Sequence, residues 1–411
     1  MSKAETITAL IPVSAAIQII KEQTPMLSSE SVALANARGR YLAEDVIADS
    51  DLPPFDRSQM DGYAVKAADT QNAPVRLRIV GESAAGRGWH HEMKAGDAVR
   101  IMTGAPLPSG ADSVQQVELT RDINPELVEI QQPVAAGRSI VGLGSEVKRG
   151  ATVLRAGEQI NPALLATLAS FGYAQIKVGN RPRVAVLATG SELVAVDQQP
   201  GPDQIRDSNN YSIGAYAELA GAIVEPLPLA GDDIDLLKRQ ITEAAQRSDV
   251  VITSGGVSMG VYDFTKAALK ELGCEIFFER VSLRPGKPTV FGRLPKGTLV
   301  FGLPGNPVSV SVTFNLFARV ALLRMQGANE PEFPEERAVL AQGVKSSADR
   351  ESYLPASLRT DASGQLLVEA LKWGGSSDFV AFTAATALLI VPQGEQAVAA
   401  GTVVRVVRLP S

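Results

Sequence analysis

The sequence predicts a multidomain chain, α/β plus β, with a doubly wound α/β domain at its centre and β-rich domains on either side. Two observations predict this. Between Arg183 and about Gln326, apolar runs alternate with glycine- or proline-rich loops and helical stretches. That is the pattern of parallel strands covered on both faces. Outside that segment the apolar runs are short and broken by turns, as in small β domains. With 411 residues the chain also exceeds one ordinary domain.

From Pro12 the chain reads as an amphipathic helix, with Val13, Ala16, Ile17 and Ile20 on one face. Ala15–Asp49 and Glu146–Tyr173 look helical and are expected to pair into an elongated, discontinuous module, residues 1–50 and 141–180. A β-rich piece, residues 51–140, is inserted into it. Its strand-like runs include Val75–Val80 and Ala98–Ile101. Residues 181–328 form the α/β domain. Its expected strands are Arg183–Ala188, Ala222–Leu229, Val250–Thr253, Glu275–Phe278, Thr289–Gly292 and Leu299–Phe301. Its helices run from the Asp207-Ser208 cap to Leu219, from Asp232-Asp233 to near Gln246, over Tyr262–Leu272, and from about Val308 to Met325. Pro331, Pro334 and two glutamates then mark a linker. Residues 329–411 alternate as short strands at Leu366–Val368, Ala387–Val391 and Thr402–Val407, a small β-barrel or sandwich.

Composition narrows the chemistry. A 45% hydrophobic and 20% charged chain has ample material for cores. No apolar run approaches the roughly 18 residues of a membrane span, and the N-terminus lacks the basic start and apolar block of a signal peptide. A cytoplasmic protein without a membrane partner is expected. The net charge of −6 argues against a broad nucleic-acid surface. There is one cysteine, Cys274, and there are two histidines, His90 and His91. A disulfide within the chain is impossible, and a zinc site of Cys/His type lacks ligands. Any metal should be hard and oxygen-liganded, with Mg²⁺ the leading choice.

Four loops follow apolar runs: Thr189-Gly190-Ser191-Glu192; Thr253-Ser254-Gly255-Gly256-Val257-Ser258 with Asp263 beyond; Arg284-Pro285-Gly286-Lys287-Pro288; and Leu303-Pro304-Gly305-Asn306-Pro307-Val308-Ser309. Ligands bind beyond the carboxyl ends of parallel strands. Glycines let the backbone approach them, and free N–H groups at helix starts favour anions. Arg280, Arg284, Lys287 and Arg293 supply local positive charge. A phosphorylated substrate fits this pattern. Structural readings stand beside the functional ones. Asp232 precedes a helix and suits an N-cap, Asp263 suits a first helical turn, and Glu192 suits a solvated loop. Asp61-Gly62 alone reads as a hairpin turn.

Several strings agree on one family. Phe55-Asp56-Arg57-Ser58-Gln59-Met60-Asp61-Gly62-Tyr63-Ala64-Val65, Ile101-Met102-Thr103-Gly104-Ala105-Pro106 and Ser254-Gly255-Gly256-Val257-Ser258-Met259-Gly260 occur in order, followed by the Arg284 and Leu303 loops. Together they resemble the MoeA family, molybdopterin molybdenumtransferases whose relatives include the gephyrin E domain. The likeness spans essentially the whole chain. It implies a MogA-like α/β domain, a C-terminal β-barrel and an elongated subunit that forms a homodimer with its active site at the subunit interface. It implies that adenylylated molybdopterin and molybdate give molybdenum cofactor and AMP, assisted by Mg²⁺. Transient contact with a MogA-type adenylyltransferase and with molybdoenzyme chaperones is a further expectation.

On that resemblance Asp61 and Thr103 act across the dimer, opposite Glu192, Asp232, Asp263, Arg284 and Lys287. Asp232 and Asp263 are expected to hold Mg²⁺, with Glu192 as a further ligand or proton acceptor. Arg284 and Lys287 are expected to hold molybdate, with hydrogen bonds from Ser376 and Ser309 and a contribution from Arg350. Thr189, Gly190, Ser254, Gly255, Gly256, Ser258, Pro304 and Asn306 complete the expected substrate contacts. The chain departs from the family pattern in two places. Ser139–Glu146 lacks the arginine-rich string and Glu-Asp pair of many members, leaving Arg138 or Glu146 as substitutes, and the basic loop opens with Arg284 rather than lysine. Two other readings stay open: a molybdopterin adenylyltransferase, and a non-catalytic molybdopterin carrier or scaffold.

Overall fold

The computed structural model describes residues 9–257, 264–394 and 396–410. These fall into two compact units, one of residues 9–43, 157–161 and 175–410, the other of residues 44–156 and 162–174.

The larger unit is built on a six-stranded sheet, in order Ile223–Pro226, Arg183–Ala188, Val250–Ser254, Leu299–Leu303, Val290–Arg293 and Glu275–Phe278. The first four strands are parallel, and Val290–Arg293 runs antiparallel to both its neighbours. Side chains on these strands alternate between two cores, as the two-residue period of a strand requires. Val184, Val186, Val250 and Ile252 join one core, and Ala185, Leu187 and Val251 join the other. Asn209–Leu219 and Pro307–Met325 cover the first face, and Ile234–Ala244 and Phe264–Glu271 cover the second. Pro307–Met325 is long and apolar enough to cross a membrane, but 89% of it is buried inside the fold. Its apolarity serves the core. The helix is not uniform, since Phe314–Ala318 takes the wider π form between two α segments.

The N-terminal expectation needs correction. The helix covers only Val13–Gln23, and its apolar face packs into the α/β core. Ser29–Ala33 is a strand, paired antiparallel with Gln175–Gly179. The Glu146–Tyr173 stretch is likewise mixed. Thr152–Leu154 pairs with Val46–Ile47, and only Pro162–Ser170 is helical.

Within the same unit, Glu335–Leu340, Glu351–Thr360, Leu366–Ala370, Ala387–Val391 and Val403–Arg408 close into a barrel, because Glu351–Thr360 bonds to both Leu366–Ala370 and Ala387–Val391. The linker expected from Glu330 therefore gives way to strand at Glu335. A sixth, two-residue strand, Leu283–Arg284, leaves the α/β domain to pair with Glu351 and Ser352 of the barrel.

The second unit is a six-stranded β domain in the order Ser113–Gln116, Gly62–Val65, Asp97–Ile101, Val75–Ser83, Leu127–Ile130 and Thr120–Asn124. Gly62 pairs with both Ile101 and Gln116, and a Cβ at this position would collide with the Gln115 carbonyl. The glycine is therefore a requirement of close strand approach.

Candidate functional site

In the α/β sheet, Arg183–Ala188 lies between Ile223–Pro226 and Val250–Ser254, so the chain reverses its direction of travel across the sheet at this point. A crevice outside the carboxyl ends of two such strands is the expected ligand position. A cavity of about 590 Å³ opens there, lined by Thr189, Gly190, Ser191, Glu192, Asp232, Gly255, Gly256, Val257, Pro288, Pro304, Gly305 and Asn306. Three of the four loops form its walls, and the basic loop contributes Pro288, the neighbour of Lys287.

The loops approach one another so closely that glycine is needed. Gly255 has φ +94° and its Cβ position runs into the Thr189 carbonyl; Gly256 has φ +62° and meets the Thr265 hydroxyl. Both conformations favour glycine. The Thr189 N–H donates to the Ser254 carbonyl at 2.8 Å, the Gly255 N–H donates to Leu303 O at 3.1 Å, and the Thr265 hydroxyl donates to Gly255 O at 3.0 Å.

The two acids of the cavity are exposed, and Glu192 folds back over Gly190. Asp232 is not the cap of the following helix. That role belongs to Asp233, whose carboxylate accepts from the Leu236 N–H at 2.9 Å. Asp232 is thus left facing the cavity. Among the described residues no group of three metal-ligating side chains converges. Glu192 and Asp232 both line the cavity and supply hard oxygens, and a magnesium ion shared with phosphate oxygens and waters needs only one or two carboxylates. The donor set therefore fits Mg²⁺.

The basic side chains gather where the barrel joins the α/β domain. Arg284 is exposed and pairs through its backbone with Ser352; Arg350 donates to the Leu283 carbonyl at 3.4 Å and to Asp349 at 2.9 Å. Lys287 is half-buried, with its carbonyl accepting from Val281 and Thr289. Ser376, from the barrel, reaches the Pro304 loop. Its hydroxyl accepts from Asn306 Nδ2 at 2.8 Å and its carbonyl from the Val308 N–H at 3.0 Å. The structure thus brings Ser376 to the cavity rim.

Two expected contacts are placed elsewhere. Ser309 is 4% exposed within the Pro307–Thr313 helix, and Ser254 is 1% exposed beneath the loops; neither lines the cavity. The Ser254 hydroxyl donates to Pro304 O at 3.2 Å, so it braces the loop. Ser258 and Asp263 lie outside the described residues. Sequence reasoning also missed Asn209, whose side-chain amide donates to Ser254 Oγ and to Gly305 O, each at 2.7 Å. Its only signal was a place beside the Asp207-Ser208 cap.

In the second unit, Asp61 ends the turn before Gly62–Val65, and Thr103 follows the neighbouring strand. The Thr103 N–H donates to Asp61 Oδ1 at 2.7 Å and its hydroxyl to the same oxygen at 2.8 Å. The backbone bond first, and the hydroxyl second, hold this carboxyl below its ordinary value near 3.8. Asp61 therefore presents an exposed, ionised carboxylate. Nearby, Glu146 of the divergent loop is paired to Arg57 at 3.0 Å.

Family models match nearly all of this architecture. The MoeA N-terminal region (domain I and II) matches residues 11–172, a probable molybdopterin binding domain matches 185–324, and the MoeA C-terminal region (domain IV) matches 337–409. The molybdopterin molybdenumtransferase of Staphylococcus aureus (strain Mu50) is 35% identical over 97% of this chain and 95% of its own.

The chain belongs to the MoeA family.

The Bacillus subtilis molybdopterin molybdenumtransferase is 34% identical over 96% of this chain and 93% of its own. The crystal structure of a molybdopterin biosynthesis MoeA protein from Pyrococcus horikoshii superposes with a TM-score of 0.84, at 28% identity, covering 98% of this chain and all of that one. The β domain, α/β domain and terminal barrel of this MoeA chain thus follow the family's order.

Proposed function

We propose that this MoeA protein, a molybdopterin molybdenumtransferase, takes adenylylated molybdopterin and molybdate and releases molybdenum cofactor and AMP. The observation that carries this is the cavity at the sheet's reversal point, lined by the exposed acids Glu192 and Asp232, in a chain matching the family along almost its whole length. Cleaving a phosphoanhydride needs positioning and charge neutralisation more than a protein nucleophile. Glu192 and Asp232 would hold Mg²⁺, which when bound neutralises phosphate charge. Glu192 would serve as a further ligand or as a proton acceptor. Arg284, Lys287 and Arg350, with the Ser376 hydroxyl, would hold molybdate, a tetrahedral dianion suited to charged donors. The dithiolene sulfurs that receive the metal belong to the substrate, so a chain with one cysteine suffices.

The active enzyme is a homodimer in this reading, with Asp61 and Thr103 supplied by a second copy and contacts to a MogA-type adenylyltransferase and molybdoenzyme chaperones. The resemblance supports that assembly, and the ionised state of Asp61 suits it to a polar, metal-rich site.

The test is AMP release from purified protein given adenylylated molybdopterin and Mg²⁺, with and without molybdate, beside Asp232→Asn and Lys287→Ala. Molybdate-dependent release lost in both variants supports the transferase. Tight pterin binding without AMP release points to a carrier, and formation of adenylylated molybdopterin and pyrophosphate from ATP and molybdopterin points to an adenylyltransferase.

A further inference from the structure

Asn209 stands first in the Asn209–Leu219 helix, yet it takes no part in capping it. Asp207 does that, accepting from the Asn210 N–H at 3.1 Å. The Asn209 amide instead spans 45 and 96 residues of sequence, to Ser254 Oγ and Gly305 O. Its direction is forced, because a carbonyl can only accept and so the nitrogen must face Gly305. That direction leaves Asn209 Oδ1 buried and without a hydrogen-bond partner among the described residues. Leaving a buried acceptor unpaired works against folding.

The consequence falls on the Pro304–Asn306 backbone. Gly305 O is held by Asn209, and Pro304 O by Ser254, both from the buried side of the loop. The two peptide bonds after these carbonyls are trans. In a trans peptide the N–H points opposite to the C=O. The N–H groups of Gly305 and Asn306 therefore turn outward, and both residues are exposed and line the cavity. Neither N–H donates to any described residue. Two successive free amides facing one side make a concave anion receptor.

We propose that Asn209 is a positioning residue for the transfer reaction, holding Pro304–Asn306 so that the Gly305 and Asn306 amides donate to a phosphate oxygen of the substrate pyrophosphate. This rests on the transferase reading for the identity of the substrate, and on the hydrogen bonds alone for the receptor. Asn209 touches no substrate. Charge developing on the bridging phosphate during cleavage is where such fixed donors act.

The test uses the full-length protein with selectively labelled glycine and inorganic pyrophosphate as probe. In wild type the Gly305 amide resonance should move on titration. Asn209→Asp, which puts a second acceptor against Gly305 O, should abolish the movement. In turnover it should lower kcat about a hundredfold per titrated active site, the scale of losing one such donor. The KM for molybdate should stay within about threefold, because the basic loop is untouched. Ser254→Ala removes both the brace on Pro304 O and the Oγ that accepts from Asn209, and should weaken the Gly305 response; it serves as the decisive variant if Asn209→Asp does not fold. A Gly305 resonance that ignores pyrophosphate in wild type overturns the proposal. So does an equal response in the variants, or a kcat loss explained by lost folded protein. If wild type releases no AMP but the Gly305 response behaves as expected, the transferase reading fails and the receptor stands.

Discussion

Asp232 and Asp233 are adjacent acids with opposite assignments, and exchanging each one separately should produce opposite defects. Asp233 accepts from the Leu236 N–H at 2.9 Å and so satisfies a donor at the start of Ile234–Ala244. Removing such a cap costs about 1 kcal/mol. That is roughly a fivefold change in a local opening equilibrium. A chain of several domains does not unfold in one step, so the effect belongs in a local measurement. Hydrogen exchange of the Leu236 region should quicken about fivefold in Asp233→Ala, while the turnover number stays within about twofold. Asp232 caps nothing and faces the cavity, so Asp232→Asn should leave exchange across Ile234–Ala244 unchanged. It should reduce kcat/KM at least about tenfold, or 1.4 kcal/mol, and raise the Mg²⁺ concentration needed for half-maximal rate. The reasoning is refuted if Asp233→Ala costs more activity than Asp232→Asn.

Three further expectations concern other parts of the molecule. In a carbon-13 titration Asp61 should ionise below the ordinary carboxylate range, and Thr103→Val should raise it part of the way, since it removes the hydroxyl bond and leaves the stronger backbone N–H bond in place. A depressed carboxylate contributes stability that is complete above about pH 4 and is lost as pH falls through the folded value. The Asp61 turn should therefore loosen only in acid. Gly255→Ala must place its Cβ against the Thr189 carbonyl at a positive φ. A loss of at least about 2 kcal/mol of stability is expected, with activity falling further, and a melting point at the wild-type value would contradict the crowding. Burial pushes the Cys274 thiol up to about 12. At pH 8 the thiolate fraction is then roughly a thousandfold below that of a free cysteine near 8.5. Iodoacetamide should leave the native protein unmodified for hours and label it promptly in urea; fast native labelling would contradict the burial.

The α/β domain was the most legible part of the sequence. Runs such as residues 184–188 and 250–252 are fully apolar because helices cover both faces, and glycine loops follow them. The N-terminal region misled for a physical reason. Alanine-rich sequence after Gln23 suits a helix locally, but Ser29–Ala33 finds its partner at Gln175–Gly179, and pairing over such a span leaves no local trace. The same holds at the cavity. Glycine loops and acids announced themselves, whereas Asn209 acts through contacts across the sheet and looked like one more polar residue at a helix start. Which aspartate of the 232–233 pair is the cap was likewise undecidable by type alone, since both can accept. Ser254 and Ser309 looked available because serines in loops usually are, and only tertiary packing buries them.

The two-residue strand Leu283–Arg284 makes the barrel and the basic loop mechanically inseparable. Arg284 is laddered to Ser352, and Arg350 grips the Leu283 carbonyl from the adjoining position. Any tilt of the barrel must carry the Leu283–Arg284 backbone and the Arg350 guanidinium with it. Excising the α/β domain as a module would free this edge and scatter the charges it aligns. Adding a barrel to an α/β ancestor would do the reverse, converting a loose basic loop into a fixed one.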